Sequence, residues 1–147
     1  MASNLDLEAL YNYAQYKNII IDKEEFKFQV ETHPDYPSLL AFADALTFFD
    51  IPNITFKIPF EKIENLEDSF ISLLQKESHS QALYHITKEQ GLYILKENNK
   101  TKKLTKEELK KQWQDIVLFA EAPDNHKEKS NSKSNFTAFI VAFMVAF

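Results

Sequence analysis

The residues able to do acid–base or nucleophilic chemistry are few: four histidines, His33, His79, His85 and His126, in 147 residues without a single cysteine. That absence removes a thiolate nucleophile, thiolate metal sites and disulfides together, and it leaves the redox compartment undecided. A hydroxyl could stand in for the thiol only beside a base. Ser78 and Ser80 flank His79, and Ser3 lies near the start of the chain, so the one hydrolase these residues could build uses a serine with His79 as base. A serine with no demonstrated base or oxyanion hole is an ordinary polar loop residue, however, and His79 reads as a loop histidine. His85 falls in an alternating segment and reads as a solvated strand position. His33, before Pro34, reads as a residue that positions a loop by hydrogen bonding. His126 sits in a polar stretch. No His-x-x-x-His or Asp-x-Asp spacing points to a metal site. With Gly91 as the only glycine, phosphate-cradling loops are excluded, and no cofactor is expected. A net charge of −5 spread over mixed Lys and Glu argues against a nucleic-acid partner, which needs a clustered basic face.

These residues are carried by one domain's worth of elements. At 44 % apolar and 27 % charged content, the chain can bury a core without staples. Leu7, Leu10, Tyr11 and Ala14 recur at helical spacing and predict a helix over about 5–16, with Asn4 as its cap. Asp22 and Glu25 have capping-box spacing before a helix whose Phe26 and Val30 share a face, ending near Thr32 ahead of Pro34. Pro37 and Ser38 start a third helix with Leu39, Phe42, Ala43, Leu46 and Phe49 inward, closed by Pro52. The period then falls to two at Ile54, Phe56 and Ile58, which predicts a strand. Glu61–Leu66 reads as a helical turn, and Ser69–Leu74 as a strand or a brief helix. Gln81–Thr87 and Leu92–Glu97 read as a hairpin around Lys88-Glu89-Gln90-Gly91. A turn at Asn98-Asn99-Lys100 precedes a helix capped by Thr105 and Glu108. Asp115–Glu121 is read as a final buried strand. Helices followed by an antiparallel sheet make an α+β domain over 1–122.

This order, with the segments Tyr36-Pro37-Ser38-Leu39-Leu40-Ala41-Phe42-Ala43-Asp44-Ala45-Leu46, Leu104-Thr105-Lys106-Glu107-Glu108-Leu109 and Trp113-Gln114-Asp115-Ile116-Val117-Leu118, resembles the papain-like cysteine peptidase domain that removes double-glycine leaders in bacteriocin-exporting ABC transporters. The His33-Pro34-Asp35-Tyr36-Pro37-Ser38-Leu39 start is especially similar to relatives in which such a domain precedes a vitamin K epoxide reductase-like membrane module. The resemblance implies a cysteine opening the first helix, a histidine at the start of a strand in the second half, and an aspartate on the next strand. In this chain those positions fall near Leu5 (or Asn4), near Gln81, and near Glu97 (or Asn98), so the expected domain lacks the thiol and recognises rather than cuts. Tyr36, Leu39 and Phe42 are its expected peptide-contacting residues. Most of the remaining phenylalanines, Phe28 and Phe48 included, are expected in the core.

Residues 123–134 are rich in Asn, Ser and Lys and read as a linker. Phe136 to Phe147 is an uncharged apolar run of 12 residues, shorter than the about 20 needed to span a bilayer, and residues 135–147 read as the start of a transmembrane segment. Lys127, Lys129 and Lys133 before it favour a cytoplasmic domain on a bacterial inner membrane. The expected partners are a peptide or a downstream membrane module of the same polypeptide. The alternatives are a hydrolase with a substituted nucleophile and a purely structural spacer.

Overall fold

A computed structural model describes residues 4–36, 38–77, 80–97 and 99–123. The linker beyond Pro123, the apolar run, His79, His126, Ser3, Ser78 and Asn98 lie outside them.

Three helices come first: α1 (Asn4–Tyr16), α2 (Lys23–Glu31) and α3 (Leu39–Phe48). Their starts are set locally. The Asp22 carboxylate accepts the Glu24 and Glu25 amides, and Ser38 Oγ accepts the Ala41 amide, so each supplies an acceptor to amides that a first helical turn leaves unpaired. α1 begins at Asn4 itself. Strands follow: β1 (Asn53–Lys57), a 3-10 turn over Phe60–Asn65, β2 (Ser69–Gln75), β3 (Gln81–Glu89), β4 (Leu92–Glu97) and β5 (Lys100–Leu104). α4 (Lys106–Gln112), held by the reciprocal Thr105 and Glu108 capping box, leads into β6 (Trp113–Ala120). Where the sequence left Ser69–Leu74 open between strand and helix, the structure has a strand.

The strands form one antiparallel sheet in the order β1-β6-β2-β3-β4-β5. The last strand in the chain is therefore an interior one, seated between β1 and β2. In β6 the register moves from Ser72↔Val117 to Leu74↔Trp113, with Asp115 at φ 62 in between. Two extra residues thus bulge out of β6. Because strand faces alternate with a period of two, the strand bends without exchanging faces, and Trp113 stays on the side of Val117.

Two differences from the sequence expectation have local causes. The β3–β4 turn is the two residues Gln90 and Gly91, at φ 51 and 81, rather than four. Two left-handed residues in succession match the twist of the flanking strands, which lets β3 run on to Glu89. β5 was not expected at all: its Lys100, Thr101, Lys102 and Lys103 are exposed, as a sheet edge guarded against further pairing requires.

The sheet is covered on both faces. On one, α1, α2 and α3 bury Leu10, Tyr13, Phe26, Val30, Phe42 and Leu46 over Ile71, Leu83 and Leu118. On the other, Ile63 of the 3-10 turn and Leu109 of α4 cover Phe70, Ile86, Trp113, Val117 and Phe119. Tyr13, 1 % exposed, ties the two ends of the domain together. Its hydroxyl donates to the Ala120 carbonyl at 3.2 Å and accepts the Ala120 amide at 3.0 Å. Burial raises the pKa of this phenol far above its usual range. Tyr13→Phe leaves both Ala120 groups unpaired in the core and is expected to cost about 1–3 kcal/mol. Chemical denaturation checks this, and an unchanged midpoint would show that the clamp contributes nothing.

Candidate functional site

The direction of α1 decides what meets what. Just past its C-terminus, Lys17 pairs with Glu67 at 3.7 Å, immediately before β2, and the Tyr16 ring lies 5.6 Å from the His85 ring. α1 therefore runs along the β2–β3 hairpin from the Gln75↔Gln81 end towards the Ser69↔Thr87 end. Its first turn, which contains Leu5, points to the start of β3, where Gln81 lies. The positions that the resemblance assigns to a nucleophile and its base thus converge on one end of the sheet. Neither carries the residue that such chemistry needs. The Gln81 amide instead donates to the Gln114 side chain of β6 at 3.3 Å.

Glu97 does not join them. Alternation along β3 and β4 puts Gln81 and His85 on the α1 face, and Tyr84, Leu95 and Glu97 on the other. There the Glu97 carboxylate accepts from the Tyr84 hydroxyl at 3.4 Å and pairs with Lys76 at 3.4 Å and Lys102 at 3.7 Å. The Lys76 ammonium also lies over the Tyr84 ring. Hydrogen bonding to Tyr84, then to Glu97, raises the Lys76 pKa, and burial raises that of Tyr84. A carboxylate fixed by two ammonium groups on the far face is not placed to orient an imidazole at Gln81.

His85 departs from its expected solvated position. α1 covers it, with the Tyr13 and Tyr16 rings edge-on at 5.5 and 5.6 Å. Its Nε2 shares a 2.5 Å hydrogen bond with Ser69 Oγ. Burial first, and then the Lys96 charge, lower its pKa to about 4, so the ring is neutral at physiological pH. Ser69 and His85 have the types of a nucleophile–base pair, yet Ser69 is 3 % exposed and closed off from substrate. The pair satisfies a half-buried imidazole whose ring also lines the groove beside α1. Tyr13 and Tyr16 share a face of α1 at three-residue spacing, but nothing in the sequence places that face over His85.

His33 positions its loop as expected. Its Nδ1 accepts the Asp35 amide at 2.9 Å, and its Nε2 meets the Asp44 carboxylate at 2.7 Å, tying the loop to α3. Among the described residues no cluster of His, Asp and Glu could hold a metal, and no helix is long and apolar enough to cross a membrane.

Besides a groove of 310 Å³ around Lys76, Tyr84, Glu97 and Lys102 on the far face, two open grooves lie on the helix side. One, of 490 Å³, runs between α1 and the β3–β5 surface and is lined with hydrogen-bonding groups, among them Asn12, Gln15, Tyr16, Thr87 and Asn99. The other, of 410 Å³, lies between α2 and α3, with Phe28, Phe48 and Phe49 as its apolar walls and Glu24, Glu25 and Gln29 around them. Of the residues expected to contact peptide, Phe42 is 2 % exposed in the helix-side core, so its ring cannot reach a ligand while the core is closed. Tyr36 and Leu39 are half-buried against that core. Phe28 and Phe48, expected inside, are instead 63 % and 61 % exposed.

Residues 6–125 match the family described as the peptidase C39 family. No curated protein sequence matches the chain. Among solved structures, the peptidase domain of Streptococcus ComA, a bi-functional ABC transporter involved in a quorum-sensing pathway, is similar at a TM-score of 0.65 and 15 % identity, over 83 % of this chain and 95 % of that one. A double-glycine-motif protease from an AMS/PCAT transporter, solved in complex with the leader peptide, is similar at a TM-score of 0.63 and 12 % identity, over 80 % and 84 %. At these identities the likeness is one of fold, and it extends to the α+β arrangement of helices on a six-stranded sheet.

Proposed function

Because the chain belongs to the peptidase C39 family, we propose that it is a recognition domain of that family which binds a peptide without cutting it, as an accessory part of a membrane protein. The observation that carries this reading is the α2–α3 groove with its exposed Phe28 and Phe48. Two large exposed rings lining one groove keep apolar surface in water unless something covers them. A short amphipathic helix with two or three apolar residues on one face fits such walls, and basic flanks would meet Glu24 and Glu25. The leader peptide bound by the AMS/PCAT relative suggests the class of occupant. Non-catalytic action is supported by the missing cysteine, by Gln81 in the base position, and by the Glu97 carboxylate paired with lysines on the far face. The membrane context is supported by the apolar run Phe136–Phe147.

The test is fluorescence anisotropy of a labelled double-glycine leader peptide titrated with the full chain, with mass spectrometry of the peptide afterwards. Micromolar binding is expected, weakened about tenfold by Phe28→Asp together with Phe48→Asp, as removal of apolar anchors predicts. The peptide should be recovered whole. Absence of binding would favour a spacer, and cleaved peptide would sink the non-catalytic reading.

A further inference from the structure

The chain's charge is not evenly placed. Residues 96–112 hold seven lysines and three glutamates, a local net of +4 within a chain of −5, so the rest carries −9. The fold turns this stretch into one edge of the molecule: the end of β4, the edge strand β5 and the helix α4 that touches both. All seven lysines are exposed. Lys102 is paired with Glu97 and Lys106 with Glu64. No carboxylate among the described residues lies within ion-pair distance of Lys96, Lys100, Lys103, Lys110 or Lys111. Of the three glutamates, Glu97 is bound to lysines and Glu108 is turned back onto the Thr105 amide, which leaves little acid to offset the outward lysines.

We propose that this β5–α4 edge lies against the anionic headgroups of a lipid bilayer. Clustered lysines on a surface that is otherwise acidic give the domain an electric dipole, so a negative plane attracts the basic edge and turns away α2 and α3, which lie at the β1 end of the sheet. An edge strand rich in lysine also guards against strand pairing, but that purpose does not need the lysines to continue through α4. A bilayer is favoured over an acidic polypeptide because the same chain carries the run Phe136–Phe147, which favours an apolar phase and would hold the domain within the reach of surface charge. Peptide binding in the α2–α3 groove is separate, and neither reading requires the other.

Co-sedimentation of the full 147-residue chain should compare vesicles of phosphatidylcholine alone with vesicles in which roughly one lipid in three is phosphatidylglycerol. The apolar run contributes equally to both. The basic edge should add about tenfold or more to partitioning on the anionic vesicles at low salt, and that increment should vanish at high salt. Lys100→Gln, Lys103→Gln, Lys110→Gln and Lys111→Gln combined, all on exposed side chains, should remove the increment with the circular dichroism spectrum unchanged. Charge reversal at the acidic residues Glu24 and Glu25, on the opposite elements, should not reduce it. Equal partitioning on the two vesicle types overturns the proposal. So does retention of the increment in the quadruple variant, or an edge that binds poly-glutamate but shows no lipid preference.

Discussion

Trp113→Ala is expected to lower stability by about 3–5 kcal/mol, the largest single-residue effect anticipated for this domain. Trp113 is 8 % exposed, and its ring packs edge-on against Phe60 and Phe70 at 5.9 and 6.2 Å. Its indole Nε1 donates to the Ile58 carbonyl at 3.0 Å, which fastens the segment before the 3-10 turn to the first residue of β6. Alanine would remove the ring, open a void between the turn and the sheet, and leave a buried carbonyl unpaired. Trp113→Phe keeps most of the area but not the donor, so it should cost less, about 1–3 kcal/mol. Because this is the only tryptophan, the denaturation must be followed by circular dichroism. Equal midpoints for wild type and Trp113→Ala would show that the far-face core does not depend on it.

The second large effect is a dependence on pH from His85. Its folded pKa, about 4, lies below the ordinary 6.5 of an unfolded histidine, so between these values the unfolded chain binds a proton that the folded one refuses. Stability therefore falls as pH drops from about 6.5 to about 4, is whole above that window, and has no more to lose from this group below it. The gap corresponds to about 3 kcal/mol. The charged neighbour that adds to the effect is Lys96, while Tyr13, Tyr16, Ser69 and Thr87 surround the ring with neutral groups. His85→Gln should flatten the stability profile in that window. An equally steep profile in the variant would place the titration in another group; Glu64 and Glu108, whose pKa values are lowered by Lys106 and by Thr105 respectively, act below this window.

What could be read in the residues divides along physical lines. Helix starts were legible because capping is local: Asp22, Ser38 and Thr105 with Glu108 each act within three residues of themselves. β2 was ambiguous because it is covered on both faces, and a strand buried on both sides shows no alternation. β5 was hidden because its lysines answer to the solvent beside an edge, not to a core. The missing thiol was plain from composition, and the family's order of elements could be recognised. The surroundings of the catalytic positions could not, since alternation tells which residues share a face but not which face a helix will cover. That is why His85 was expected in water, and why nothing in β4 alone showed Glu97 turned away from α1. Aromatic content misled in another way: Phe42 lies on the inward stripe of α3 and Phe48 off it, so counting Phe48 with the core disregarded the helical period.

The place of β6 in the sheet has a consequence in time. β1 and the two strands of the β2–β3 hairpin are made well before it, yet β1 meets β2 only through β6. A nascent chain that has reached Gln112 therefore carries two strand edges, on β1 and β2, with no partner, and Tyr13 has no Ala120 to hold. The sheet can close only when residues 113–120 have left the ribosome, and the strand pairings that close it span 39 to 67 residues, with the Tyr13–Ala120 clamp reaching across 107. Folding of this domain should thus be slow and late, dominated by distant contacts, and a chaperone or the ribosome surface would have to shield those edges until the final strand arrives.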